Sequence, residues 1–371
     1  MCTSLGYKDA AGRAYFGRTL ELTTDLPYQL ALFPSGYESR SQVEGHPALA
    51  LTSRHAVLAV TMPDREPSPA EPITIADLKV LEGLNDQGLT FSVLSYPNAG
   101  GRQKSVDATR AVLSAIDLGL FVLGQHDSVE AVKSALAAQP VQIQPIALLG
   151  GLTAPFHYTV HDATGAAIVI EFDQGTMTVY DNPVGVMTNG PKFDWHLTNL
   201  GNYTFLTNVD KSTASFGSYQ AAQPDAGIAT AGLPSSNTAV GRFVRAAYYA
   251  EFTEKAATPD LALQTLAHIL NNFDRPRGAS IAYPEAGVSH LEVAGLKQDE
   301  GERYATEFTS WTSLSDLDRK LFHVRDYRAF NFTRFDLGAL AGATKPHVLP
   351  LSHLVDGAFD GTALMKDSAA A

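Results

Sequence analysis

The chain carries one cysteine in 371 residues, Cys2, so an internal disulfide is impossible. It has no run of 18 or more apolar residues, and a membrane-spanning helix is therefore not expected. The longest apolar stretches, such as Ala111 to Leu123, are interrupted by Ser114 and Asp117. Runs of Lys and Arg are missing as well. With 39 acidic against 27 basic residues the formal charge is -12, and the pI lies near 5.3. That balance leaves no electrostatic footprint for nucleic acid and disfavours a site on anionic membrane. The opening Met-Cys-Thr-Ser-Leu-Gly lacks the basic and apolar segments of a secretory leader, so a cytoplasmic protein is expected. Neither HExxH nor CxxC occurs. Gly150-Gly151 is followed by Leu152-Thr153, not by the Lys-Ser/Thr of a phosphate-cradling loop. No metal and no cofactor are expected.

Core material is abundant: 45% of residues are hydrophobic and 18% charged, which supports a large core and excludes a disordered chain. The first residues read as a hairpin, with a strand from Cys2, a turn over Lys8 to Gly12 and a returning strand over Ala14 to Leu22. Strands are expected over His55 to Met62 and Leu89 to Tyr96, a helix over Val106 to Leu118, and a second helix over Val129 to Ala138. The second begins with a capping box of Asp127 and Glu130. A β-run follows: Phe156 to Val160, Ala167 to Phe172, Thr176 to Tyr180 and Val184 to Met187. Helices are expected over Ala239 to Phe252 and Asp260 to Phe273, and strands over Tyr304 to Leu314, Lys320 to Val324 and Ala329 to Phe335. Blocks of strands separated by helices predict antiparallel sheets packed on each other under helices. Ser212 to Pro234, rich in Gly, Ala, Ser and Gln, reads as a long functional loop, subunit contact being one use.

Position 2 is where the chemistry points. Removal of Met1 would leave a residue holding both a thiol and a free α-amine. Their ordinary pKa values, about 8.5 and about 7.7–8.0, let the amine accept the thiol proton near neutral pH and later protonate a leaving group. A lone cysteine is equally often an inert core residue. The segment Gly17-Arg18-Thr19-Leu20-Glu21 lies on the strand expected beside Cys2. There an arginine stabilises thiolate and a carboxylate can hold the α-ammonium, although an exposed ion pair would explain the same residues.

The order and spacing of further segments resemble the choloylglycine hydrolase or penicillin V acylase family of linear-amide hydrolases. They are Met-Cys-Thr, Phe16-Gly17-Arg18, Gly83-Leu84-Asn85-Asp86-Gln87-Gly88-Leu89, and Asp162-Ala163-Thr164-Gly165. The longest runs from Asp181-Asn182-Pro183 through Thr188-Asn189-Gly190-Pro191 to Phe193-Asp194-Trp195-His196. Gly232-Leu233-Pro234, Arg242-Phe243, His268 to Asn272 and Arg277-Gly278 follow. The resemblance implies an α+β fold, the four-layer αββα sandwich of N-terminal-nucleophile (Ntn) hydrolases, as one domain over residues 2–360 with a frayed 361–371 tail. It implies a homotetramer assembled through residues 212–234.

Residue by residue, the resemblance makes Cys2 the nucleophile, with Arg18 assisting the thiol, Asn189 in the oxyanion hole and Arg242 steadying the site. Two positions depart from the family pattern. Glu21 stands where an aspartate is common, and Ser95 aligns with the second oxyanion position, often Asn in bile-salt hydrolases and Tyr in penicillin acylases. The substrate implied is a small-molecule N-acyl amide with a bulky apolar acyl group: phenoxyacetyl, a bile acid or an acyl-homoserine lactone chain. Ser95 favours penicillin V acylase-like activity. A glutamine amidotransferase is disfavoured for want of a synthetase domain, and a catalytically silent assembly module is the reading from another class. His157 and His161 are four apart in a strand sequence and read as a sheet-face pair, not as metal ligands. Asp181 reads as a turn residue, and Phe243, Ala247, Tyr248 and Phe252 as a helix core stripe.

Overall fold

The first turn sets the register of the strand that carries Cys2. Asp9 Oδ1 accepts from the N–H groups of Ala11 at 2.9 Å and Arg13 at 3.0 Å, and Gly12 takes φ +80°, where a side chain is strained. Strands β1 (Cys2–Lys8) and β2 (Ala14–Leu22) therefore pair with Cys2 opposite Leu20 and Ser4 opposite Arg18. The computed structural model describes residues 1–66, 68–283 and 304–355; the expected 361–371 tail lies outside them.

The remaining strands of the two large sheets are β3 (Gln29–Phe33), β4 (Val57–Pro63), β5 (Leu78–Asn85), β6 (Thr90–Ser95), β7 (Phe156–His161) and β8 (Ala167–Asp173). They continue as β9 (Thr176–Asp181), β10 (Val186–Met187), β11 (Phe308–Asp316), β12 (Leu321–Asp326), β13 (Thr333–Asp336) and β14 (His347–Pro350). One sheet has the order β10-β1-β2-β11-β12-β13, the other β9-β8-β7-β6-β5-β4-β3-β14, and their neighbours are antiparallel. The main helices are α1 (Leu118–Gln125), α2 (Val129–Ala138), α3 (Phe193–Leu200), α4 (Ala239–Phe252) and α5 (Pro259–Asn271). Helices α4 and α5 cover the six-stranded sheet and α1 covers the eight-stranded one, completing the αββα sandwich. Strand alternation feeds both cores. Leu58 and Val60 of β4 point between the sheets, whereas Val57 and Ala59 point toward α1.

Helices α2 and α4 span the expected residues. The cap of α2 is Ser128, not Asp127: Ser128 Oγ accepts from Ala131 N, and the Asp127 carboxylate accepts from the Ser128 hydroxyl. The helix expected over Val106 to Leu118 lies further on, at α1. Asp107 Oδ1 accepts from the N–H and hydroxyl of Thr109 to make a turn, and Leu113–Ser114 pairs with Val141–Gln142. Strands β3 and β5 and helix α3 have no counterpart in the expected pattern. The segment 212–234 is not structureless. It forms a hairpin of Thr213–Phe216 and Tyr219–Ala222 and a 3-10 turn over Ile228–Gly232, and its surface is largely exposed. Asp181 ends β9 and pairs with Lys133 at 2.8 Å. No helix among the described residues is long and apolar enough to cross a membrane.

Candidate active site

Alternation along β1 and β2 turns Cys2 and Arg18 toward the eight-stranded sheet. The guanidinium of Arg18, fully buried, crosses the gap. Its Nη2 donates to Cys2 Sγ at 2.9 Å and its Nη1 to the Val93 carbonyl of β6 at 2.7 Å. The Trp311 ring lies under it, 5.0 Å away. Cys2 itself is only 5% exposed. Its main-chain N–H donates to Asn189 Oδ1 at 2.9 Å, and the Asn189 amide donates to the Ser95 carbonyl at 2.7 Å. Ser95 thus offers Asn189 its carbonyl oxygen, an arrangement that side-chain reasoning did not anticipate.

Arg242 enters from α4 on the opposite face of the sheet. It donates to the Cys2 carbonyl, to Thr3 Oγ1 at 2.8 Å and to Asn189 Oδ1 at 2.7 Å. Burial pulls its pKa down to about 10, against the opposing charge of Glu21. The structure therefore gathers Cys2, Arg18, Ser95, Asn189 and Arg242 into one connected set.

Glu21 is placed differently. Its buried carboxylate accepts from Thr309 Oγ1 at 3.4 Å, and its Oε2 has no partner among the described residues. Burial raises its pKa, with Arg242, the terminal ammonium and Arg275 pulling the other way. Met1 is present here, and its ammonium donates to the Glu21 backbone carbonyl at 2.5 Å and to the Glu307 carboxylate. So the Glu21 side chain does not hold that ammonium; Glu307 does, itself paired with Arg275 at 2.5 Å.

Sequence reasoning also missed the support behind Asn189. His196 Nε2 donates to the Asn189 carbonyl at 2.9 Å, and its ring stacks on Phe243 with centroids 4.4 Å apart. Burial lowers its pKa to about 4, so the ring is neutral. His157 Nε2 donates to the Thr188 carbonyl at 3.0 Å, and its Nδ1 faces Glu171 Oε2 at 3.2 Å. His157 and His161 do share the inner sheet face, as expected. His161 Nε2 donates to the Gly185 carbonyl at 3.2 Å. The second omission is Glu82 on β5. Its carboxyl accepts from the Ser92 hydroxyl and lies 4.0 Å from Arg18 Nη1. Burial drives its pKa up to about 8, despite the pull of Arg18 and Ser92.

A thiol, a guanidinium and a side-chain amide converging at the second residue fit nucleophilic attack on a carbonyl. The matching family is described as linear amide C–N hydrolases, choloylglycine hydrolase family, and the match covers residues 2–340. The chain belongs to that family. Membership in the choloylglycine hydrolase family makes it a hydrolase of carbon–nitrogen bonds other than peptide bonds in linear amides. A bile salt hydrolase/transferase from Clostridium perfringens (strain 13 / Type A) is 27% identical over 91% of this chain and 92% of its own length. A conjugated bile acid hydrolase from Lactobacillus acidophilus is 30% identical over 67% of this chain and 74% of its own. A penicillin V acylase from Pectobacterium atrosepticum is 25% identical over 67% of this chain and 59% of its own. In structure, the conjugated bile acid hydrolase of C. perfringens superposes with a TM-score of 0.78 at 23% identity, covering 97% of this chain and 99% of that one. That likeness carries the Ntn hydrolase fold of the choloylglycine hydrolase family.

Proposed function

We propose that the chain is a cysteine N-terminal-nucleophile amidase of penicillin V acylase type, cleaving a linear amide whose acyl half is bulky and apolar. The observation that carries this reading is the contact of Arg18 Nη2 with Cys2 Sγ, beside a Cys2 nitrogen already held on Asn189. Loss of Met1 turns that nitrogen into an α-amine with its acceptor in place. The amine takes the thiol proton, and the thiolate attacks the amide carbonyl. The Asn189 amide, whose second N–H is not used by Ser95, donates to the oxyanion. The protonated amine leaves and water hydrolyses the thioester. Arg242 fixes the geometry through Cys2 and Asn189, and the buried Glu21 carboxyl stands close to the new terminus.

The bile-salt reading is the second one, favoured by the bile salt and bile acid hydrolase activities of the 27% and 30% identical relatives. Ser95 matches neither subgroup's usual residue, and it supports the first reading as that of a general N-acyl amidase with penicillin V acylase activity. A homotetramer built through residues 212–234 belongs to the same proposal. Phe216 and Tyr219 on its hairpin are each 69% exposed, an apolar pair suited to burial against another chain. Light scattering that read one chain in solution would refute the tetramer.

The test is amine release from penicillin V, glyco- and tauro-conjugated bile salts and acyl-homoserine lactones, with Cys2→Ala alongside and Met1 removal checked by mass. We expect turnover that falls by at least about 10⁴ in the variant. A processed chain that turns over none of them sinks the substrate class. Turnover that survives in Cys2→Ala sinks the nucleophile.

A further inference from the structure

One cation faces two acids between the sheets. Arg18 Nη2 donates to Cys2 Sγ at 2.9 Å, and Arg18 Nη1 lies 4.0 Å from Glu82 Oε2. The Arg18 and Glu82 side chains are both fully buried. The other bonds of the guanidinium go to neutral main-chain carbonyls, those of Thr19, Leu81 and Val93. Among the described residues Glu82 is the one carboxylate within ion-pair reach of Arg18. Its Oε2 accepts from the Ser92 hydroxyl, and its Oε1 has no hydrogen-bond partner among the described residues.

We propose that Glu82 is a positioning residue that acts on Cys2 through Arg18: as a carboxylate it draws the guanidinium charge away from the sulfur, and as a neutral carboxyl it leaves that charge to the thiolate. The exchange is a single proton, Cys2–SH and Glu82–COO⁻ on one side, Cys2–S⁻ and Glu82–COOH on the other, with Arg18 cationic throughout. Two acids sharing one cation in a dry gap titrate as a pair, so neither follows a simple one-proton curve. The raised carboxyl pKa, about 8, lets Glu82 keep a proton near neutral pH, so its carboxyl is available as the second site of the exchange.

The other charged and titratable groups around the pair are few. Arg242 reaches the Cys2 carbonyl from α4, and Glu21 on β2 faces Arg242. Glu307, with Arg275, holds the Met1 ammonium. The buried Tyr28 hydroxyl senses both Cys2 and Arg18, and its pKa is pushed far above its ordinary value by burial. None of these lies between Arg18 and Glu82.

The proposal rests on the reading of Cys2 as the nucleophile only for its functional meaning, because thiol titration needs no substrate. Cys2 is the one cysteine, so iodoacetamide uptake by the full chain reports it alone. In Glu82→Gln the rate of alkylation against pH becomes a single-proton curve, with its midpoint lower than in the native chain by roughly one to three pH units. Ser92→Ala removes the donor to the carboxylate and moves the midpoint the same way by less, which keeps the test open if Glu82→Gln folds poorly. Native-like pH profiles in both folded variants, or an upward shift, overturn the proposal. Loss of amide turnover in Cys2→Ala is a separate readout, so the nucleophile and the proton exchange can fail independently.

Discussion

The eight-stranded sheet has two faces with opposite chemistry. Toward α1 it presents Val57, Ala59, Val80, Phe91 and Ile168, an aliphatic and aromatic layer. Toward the other sheet it presents Glu82, Ser92, His157 and Glu171 among its apolar side chains, with Glu82 4.0 Å from Arg18 and Glu171 paired with His157. Burying ionised groups is costly unless each is paired, and such pairs give little net stability. The difference separates two tasks. The outer layer holds the sheet by burial, whereas the inner layer uses part of that stability to hold a charged set in fixed positions.

The largest effects should pull the two layers apart. Phe91, 1% exposed and stacked on Tyr158, belongs to the outer layer. Phe91→Ala should cost about 3–5 kcal/mol in denaturant unfolding, with Cys2 alkylation in the folded protein unchanged. Asn189→Ala should do the converse. It should lower turnover by roughly 10²–10³ and leave the unfolding midpoint nearer to native than Phe91→Ala does. A Phe91→Ala protein with altered thiol reactivity would show that the layers are coupled and break the comparison.

A smaller effect is the pH dependence of stability, set by buried histidines and an acid that lie outside the outer layer. His161, His196 and His323 are lowered by burial from 6.5 to about 4. The unfolded chain binds their protons between those values, so stability is lost as pH falls from 6.5 through about 4. Glu82 is raised from 4.5 to about 8. The folded chain keeps its proton, so stability is lost as pH rises toward about 8. From 4.5 to 6.5 the three histidines outweigh the one acid, and above 6.5 only the acid acts. These groups place the stability maximum near pH 6.5, and Glu82→Gln should remove the alkaline decline. Urea midpoints measured from pH 5 to 8.5 check both limbs.

The same contrast explains what could be read in advance. The β1–β2 hairpin was legible because its turn residues, Asp9 to Gly12, are local, and with it came the pairing of Arg18 beside Cys2. Helix α4 was legible because one face is apolar. Helix α1, Leu-Gly-Leu-Phe-Val-Leu-Gly-Gln, is buried nearly all round and has no polar face to mark a period. Strands β3 and β5 are buried on both faces, which erases the two-residue alternation. Of the site, Cys2, Arg18, Asn189 and Arg242 were placed from motif resemblance and do meet. Glu82 and Glu307 were not found, because each takes its role from a partner distant in sequence and no local pattern records such a partner; His196 lay inside the motif, but its bond to the Asn189 carbonyl, seven residues away, shows only once the segment between them is folded. Glu21 was assigned as a holder of the α-ammonium of the processed chain; with Met1 in place the terminal ammonium meets the Glu21 backbone carbonyl and the carboxylate of Glu307, a residue just ahead of β11 and nearly three hundred positions later.

The arm that Arg18 throws across the gap has a consequence for how the protein comes into being. Its guanidinium rests on carbonyls of Val93 and Leu81, so the surroundings of Cys2 do not exist until two sheets built from distant parts of the chain have stacked. During refolding, the labelling speed of one sulfur atom becomes a clock for that docking event. Early pulses of alkylating reagent should find an ordinary thiol, and late pulses one already sealed between the sheets.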